Sequence, residues 1–420
     1  MTNKHKNAGG KLHYAFIVAI ACSGLSLLMS LVLNILGIFY LPITTEFGIS
    51  MTTMSFCIVL FSLSYTVAML VINRAINKFD TRLVLLFSVL GLAVSFGVRA
   101  VSNNIIGFYI TAVIQGICWI IICNLMGPFI ANNWFNKHTV TVIALISVFT
   151  NLGGFIFNAL GGWIIQYYGW RVCFWVWMGI DLLIGVPLAL LVRKSPEEIG
   201  LQPYGVKEEA DSKPFKKIGL DAKSVLKTPA FWLIGIALGL DGFGDTYSSY
   251  ISPYAQMLGA TAIVGGLMAS LVNFGGIGGK LILGPICDKH PKGGGYLTNV
   301  CGALGFVGII IMGKTGFSFG LYAAMCILYG VAYSASAIGF SSFTRSAFGP
   351  KDFGKIWPTL NMFLGIIGAV GAMAFGLVVD FLGYEAGPYI VSAVYSLAFI
   401  CLLFASKNSN KYRSQWTEEQ

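Results

Sequence analysis

Residues 260–286 read Ala-Thr-Ala-Ile-Val-Gly-Gly-Leu-Met-Ala-Ser-Leu-Val-Asn-Phe-Gly-Gly-Ile-Gly-Gly-Lys-Leu-Ile-Leu-Gly-Pro-Ile, an apolar run with one charge, Lys280, followed by Cys287-Asp288-Lys289. A bilayer core of roughly 30 Å takes about 20 apolar residues of helix, so the run is long enough to cross it. It is too long, and alternates too little, for the ~10-residue strands of a membrane barrel. Eleven further runs of the same kind flank it. The spans fall near 13–40, 51–73, 82–102, 105–131, 139–167, 172–193, 229–256, 260–286, 295–313, 317–341, 354–380 and 386–405. Composition agrees: only 10% of the 420 residues are charged, against about a quarter in soluble domains. The expected fold is an all-α membrane protein of twelve transmembrane helices.

The formal charge of +10 raises the question of a nucleic-acid partner, and the positions of the charges answer it. Of 27 Lys and Arg residues, 23 lie in alternate loops or the tails, among them Lys4, Lys78, Lys137, Lys194, Lys217, Lys289, Lys351 and Lys411. The positive-inside rule assigns those loops and both termini to the cytoplasm, hence an inner-membrane protein with no nucleic-acid role. The first apolar run is of spanning length and reads as a retained helix, not a cleaved signal. Eight of the nine cysteines lie within spans and no paired Cys-x-x-Cys occurs; a disulfide or zinc framework is not expected, and no cofactor is implied.

Six spans, a polar stretch at 194–228 and six more spans suggest two bundles, 1–193 and 229–420, joined by a cytoplasmic linker. The repeat shows faintly where Gly284-Pro-Ile-Cys-Asp288-Lys289 corresponds to Ile76-Asn77-Lys78-Phe79-Asp80-Thr81-Arg82. The Gly-x-x-x-Asp-Lys pattern resembles the loop signature of the major facilitator superfamily. Three further stretches resemble its oxalate/formate antiporter and monocarboxylate porter branch: Asn133-Trp134-Phe135, the glycine-rich fifth span through Gly153-Gly154 and Gly161-Gly162 to Gly169-Trp170-Arg171, and Leu226-Lys227-Thr228-Pro229-Ala230-Phe231-Trp232. The resemblance implies two six-helix bundles that rock about a central site, with Asp288 and Lys289 gating the cytoplasmic side. The first-half signature departs from the pattern, since Asn77 stands where an acid is usual.

Ionisable residues inside a bilayer cost about 2.5–3.5 kcal/mol each unless they face the bundle interior, so they mark function. Near mid-span lie Asp181, Asp241, Asp245 and Lys280. Lys280 has glycines beside it and shares a helical face with Asn273. The resemblance gives a basic residue at this position the role of binding a substrate carboxylate; the alternative is a structural pair with an aspartate. Asp241 and Asp245, four apart, share a face that Ser248 and Ser252 continue. Two carboxylates that close favour holding one proton, which suits proton coupling or charge compensation of Lys280. Asp181 is the weaker candidate for coupling, because the sixth helix is peripheral in the family fold. His5, His13, His138 and His290 lie at or beyond helix ends and do not form a relay.

Gln115, Trp119, Asn34, Tyr250, Tyr333 and Asn361 complete a candidate cavity, with Tyr247 and Tyr329 beside them. Gly-Gly-Ile-Gly-Gly-Lys280 is no phosphate loop, since Phe274 and Leu281 stand where that motif needs Gly and Ser or Thr. No Gly-x-Ser-x-Gly or His-Glu-x-x-His occurs, and no enzyme or metal chemistry is expected. The oxalate carrier of the branch has a second cation in the eleventh helix where this chain has Leu360, which favours a monoanion over a dianion. The expectation is a monomeric secondary transporter of a small carboxylate, by proton symport or anion exchange. Its rivals are a carrier of cationic or zwitterionic cargo using Asp241 or Asp245, and a non-transporting membrane sensor.

Overall fold

The computed structural model describes residues 13–124, 130–135, 139–205, 219–315 and 318–417. Twelve helical segments run through them: α1 (Tyr14–Leu33 continued by Gly37–Phe47), α2 (Met51–Lys78), α3 (Thr81–Val101), α4 (Ile105–Asn124), α5 (Thr139–Tyr168) and α6 (Trp170–Ile180, Asp181–Gly185 and Val186–Leu191). The second six are α7 (Pro229–Asp245, Thr246–Tyr250 and Ile251–Met257), α8 (Ala262–Lys289), α9 (Gly293–Thr315), α10 (Phe319–Phe348), α11 (Phe353–Leu382) and α12 (Ala386–Thr417). Ten are long and apolar enough to cross a bilayer as they stand, and α10 does so as a bent pair. In α7 a 3-10 turn joins the 17-residue first piece to the seven-residue last one.

Local signals start and stop these helices. Asp80 accepts the N–H of Arg82 at 2.8 Å, Thr228 accepts that of Phe231 at the Pro229 start, and Thr261 accepts that of Val264. Gly48 ends α1 at φ 63°, a left-handed position that suits glycine. Outward faces are apolar: Leu183 and Phe381 are about four-fifths exposed, an arrangement that fits lipid and would aggregate in water. Several helices outrun the sequence-based spans, α10 to Phe348 and α12 to Thr417. Helical hydrogen bonding persists past the apolar stretch, which hydropathy does not register.

Helices α1–α6 pack on one another, as do α7–α12, giving two six-helix bundles. Among the described residues the bundles are joined by α5 with α8, α2 with α11, and the second piece of α1 with α8 and with both the 3-10 turn and the Ile251–Met257 piece of α7. The first pieces of α1 and α7 pack within their own bundles. The bundles therefore meet at the end away from the chain termini, and the α5–α8 seam continues from there to Lys280.

The described ends of the linker are clasped by equivalent helix exits. After α4, the backbone carbonyl of Trp134 accepts the N–H of Tyr204 at 2.8 Å, while the Trp134 indole donates to the carbonyl of Arg193. After α10, the carbonyl of Phe348 accepts the N–H of Leu220 at 2.9 Å, and Lys351 pairs with Asp221 at 2.8 Å. The N–H of Ala222, donated to the Asp352 carboxylate, leads the contacts that hold that carboxyl below its usual range. Asn133-Trp134-Phe135 thus anchors the inter-bundle connection, whose residues 206–218 lie outside the described set.

Candidate functional site

Both α1 and α7 are broken near mid-membrane, α1 at Asn34–Leu36 and α7 at Thr246–Tyr250. Breaks at corresponding positions of two halves free backbone polar groups and mark the binding region of repeat-built transporters. At the α1 break the freed carbonyl of Asn34 accepts the side-chain N–H of Asn158 from α5 at 2.9 Å. At the α7 break the Tyr329 hydroxyl donates to the carbonyls of Gly244 and Asp245, each at 3.1 Å.

Side chains converge at the first break. Asn34 Nδ2 donates to Asn273 Oδ1 of α8 at 3.0 Å, and the Tyr333 hydroxyl of α10 donates to Asn34 Oδ1 at 3.4 Å. Gly154 of α5 lets Asn273 approach, since a Cβ there would fall on the Asn273 amide. Three residues expected at the site, Asn34, Asn273 and Tyr333, thus form one hydrogen-bonded bridge between the bundles.

Lys280 lies two turns beyond Asn273. Its ammonium donates to the Ser147 carbonyl at 3.1 Å and to Asn151 Oδ1 at 3.3 Å, both on α5. The side chain is partly exposed, and among the described residues it has no ion pair. The expected pairing with an α7 aspartate is not formed. Asp245 instead accepts the Tyr395 hydroxyl of α12 at 3.0 Å, and Asp241 is fully buried with Ser336 of α10 beside its carboxylate. The shared face of these acids looks into the second bundle. Ser248 stacks over Asp245, since residues three apart eclipse in the 3-10 turn, while Ser252 lies beyond it and meets Gly265 of α8.

The remaining candidates are scattered. Among the described residues, buried Gln115 has no partner for Nε2 and Trp119 none for its indole N–H, its ring lying against Phe61 and Tyr65 of α2. Tyr250 sits at the closed end, its hydroxyl bonded to that of Ser55 and its ring edge-on to Tyr40 at 5.5 Å. Asn361 donates to the Trp357 carbonyl of its own helix at 2.8 Å. Asp288 and Lys289 are exposed at the end of α8, where Asp288 shares a cavity of about 550 Å³ with Arg345, Ser341 and Phe353. Asp181 opens a π-helical turn and is buried with Oδ2 unpartnered.

The sequence reading missed α5. Ser147, Thr150, Asn151, Gly154 and Asn158 recur at helical spacing, a polar stripe along an apolar helix that faces α1 and α8. It missed Arg99 as well, which is buried in the first bundle, donates to Thr111 at 2.9 Å and lies over the Phe108 and Phe174 rings. Replacing Asn158 by alanine should destabilise the protein by about 1–3 kcal/mol, because a buried carbonyl loses its donor. N158D keeps the size but removes the N–H, and should fall with N158A in a thermal unfolding series; retention of parent stability by N158D would show that the donor is immaterial.

The comparisons with known proteins bear on this architecture. The Major Facilitator Superfamily profile matches residues 22–357. The chain is 24% identical over 319 residues to the chloramphenicol resistance protein CraA of Acinetobacter baumannii, 75% of this chain and 74% of that one. It is 25% identical over 180 residues to the membrane sensor protein UhpC of Salmonella typhimurium, a match spanning 39% of each. Among solved structures, the nucleoside transporter NupG superposes with a TM-score of 0.71 at 14% identity, covering 94% of this chain and 100% of that one. A D-xylose-proton symporter gives 0.71 at 15% over 94% and 98%. A bacterial homologue of the lysosomal transporter Spinster, inward-facing and unoccupied, gives 0.68 at 14% over 98% and 99%. Profile and architecture agree that this multi-pass membrane protein belongs to the Major Facilitator Superfamily.

Proposed function

We propose that the chain is a secondary transporter of a small organic anion, a monocarboxylate, working by alternating access as a proton symporter or anion exchanger. The observation that carries this reading is the Lys280 ammonium. It stands at the α5–α8 seam between bundles, held by two neutral acceptors and by no carboxylate among the described residues. A charge so placed keeps its attraction for an anion, and neutral oxygens are readily exchanged for a carboxylate. One cation favours a monoanion: Leu360 is buried in α11 where a second would be needed. Asn34, Asn273 and Tyr333 supply donors and acceptors for the rest of the guest. Asp241 and Asp245, away from Lys280, suit a separate proton site. Lipid is the surrounding medium, and the basic loops and both termini face the cytoplasm of an inner-membrane monomer.

The test is counterflow in proteoliposomes preloaded with a short monocarboxylate. Saturable uptake that other monocarboxylates inhibit, and that organic amines leave untouched, is the expected result. Competition by amines alone would transfer the site to Asp241, whose buried carboxylate, with no cation beside it among the described residues, favours the cation-carrier reading. Tight binding of carboxylates with no flux would instead make the chain a sensor.

A further inference from the structure

The last turns of α5 and α11 carry one pattern. Gly162-Trp-Ile-Ile-Gln166-Tyr-Tyr-Gly169-Trp170 aligns with Gly376-Leu-Val-Val-Asp380-Phe-Leu-Gly383-Tyr384, glycine on glycine and acceptor on acceptor. The closing glycines have matching backbone, φ 83° at Gly169 and φ 80° at Gly383. Each donates its N–H to the residue four before it at 3.1 Å.

The partners match as well. Gln166 Oε1 accepts the N–H of Ala262, the first residue of α8, at 3.0 Å. Asp380 accepts the N–H groups of Met51 and Thr52, the first residues of α2, both at 2.9 Å, and the Thr52 hydroxyl. One turn before each acceptor the glycine allows contact: a Cβ at Gly162 would lie 2.8 Å from the Ala262 carbonyl, and one at Gly376 2.6 Å from Thr52 Cα. Each unit lies at a cross-bundle seam, α5 on α8 and α11 on α2, at the end away from the termini.

We infer that Gly162/Gln166 and Gly376/Asp380 are a repeated pair of gate latches, each capping the opening turn of a helix in the opposite bundle and holding that end shut. First-turn N–H groups have no partner within their helix, so an acceptor from the other bundle satisfies them only while the end stays closed. Opening exposes them to water and releases the acceptor. Asp380 is the stronger latch, because a carboxylate at a helix N-terminus adds charge–dipole attraction to its hydrogen bonds and Gln166 supplies one neutral bond. These residues set access to the site and do not touch cargo, so the inference stands apart from the choice of substrate.

The experiment follows a reporter thiol. Ser55 is fully buried behind the closed end, bonded to Tyr250. S55C in the full-length protein, reconstituted in vesicles, is labelled with a membrane-impermeant maleimide, with the parent as the background for native cysteines. Adding D380N should raise the S55C labelling rate roughly five- to ten-fold, and adding Q166A by a smaller factor, about two-fold. Adding both should exceed either alone. G376V, whose Cβ would press on the Thr52 backbone, wedges α11 from α2 while leaving the Asp380 carboxylate in place, and should raise labelling like D380N. Gel filtration and thermal unfolding check that each variant is folded. Folded D380N and G376V proteins that label at the S55C rate would overturn the assignment. So would a Q166A effect larger than that of D380N, which reverses the order that charge requires.

Discussion

Replacing Lys280 by alanine should lower anion uptake, as kcat/KM, by at least about thirty-fold and remove carboxylate-induced thermal stabilisation, while the protein still folds. Truncating one member of a desolvated charge pair costs about 2–5 kcal/mol, and each 1.4 kcal/mol is a factor of ten. Folding is spared because what K280A abandons is cheap. The Ser147 carbonyl lies within a helix, and Asn151 Oδ1 is a neutral acceptor on a buried residue, whose lost bond costs only about 1–3 kcal/mol. K280R keeps the charge but replaces a point donor with a planar fork. It should retain uptake within about ten-fold while reordering the preference among carboxylates of different shape. If K280A transports carboxylates at the parent rate, the anion site is elsewhere and buried Arg99 becomes the next cation to test. If K280R is as dead as K280A, the lysine is held by shape and its charge is not what the guest reads.

The architecture was legible because lipid imposes one rule at every position: twelve apolar runs and a one-sided basic bias need no tertiary contact to be seen. Part of the site was legible for the same reason. Asn34, Asn273, Tyr333 and Lys280 stand out as polar groups in apolar helices, and the first three do meet. What stayed hidden depends on breaks and on partners. The 3-10 turn after Asp245 is not written in hydropathy, so i,i+4 spacing carried the acidic face on to Ser252, which meets Gly265 of α8. The partner of Lys280 could not be read either, because mid-span charges invite pairing by sign, whereas the fold supplies neutral α5 oxygens. Asp380 escaped notice at a helix end, where an acid looks solvated until the neighbouring α2 start comes into view.

Substitution of Gly330 by alanine should be among the most damaging changes in the chain. Lipid gives no hydrophobic reason for helices to associate, so close backbone packing at small residues carries much of the stability. Helices α8 and α10 meet through Gly275 and Gly330: a Cβ at Gly330 would fall on the Val272 carbonyl oxygen and 3.1 Å from Gly275 Cα, and one at Gly275 would fall on the Ile327 carbonyl. These neighbours are backbone atoms, which cannot rotate away as a side-chain tip can, so α8 and α10 must separate. Overpacking of this kind costs about 1–3 kcal/mol per site and more when backbone moves. The consequence reaches the site, because α8 carries Asn273 and Lys280 and α10 carries Tyr333. G330A should therefore lower the thermal midpoint and weaken carboxylate uptake together, and G330V should yield little folded protein. Gly278 and Gly284, on the same helix with open space around them, are the controls; alanine there should change stability by no more than about 1 kcal/mol. A G330A protein as stable and active as the G278A control would mean that α8 and α10 do not touch where their glycines face each other.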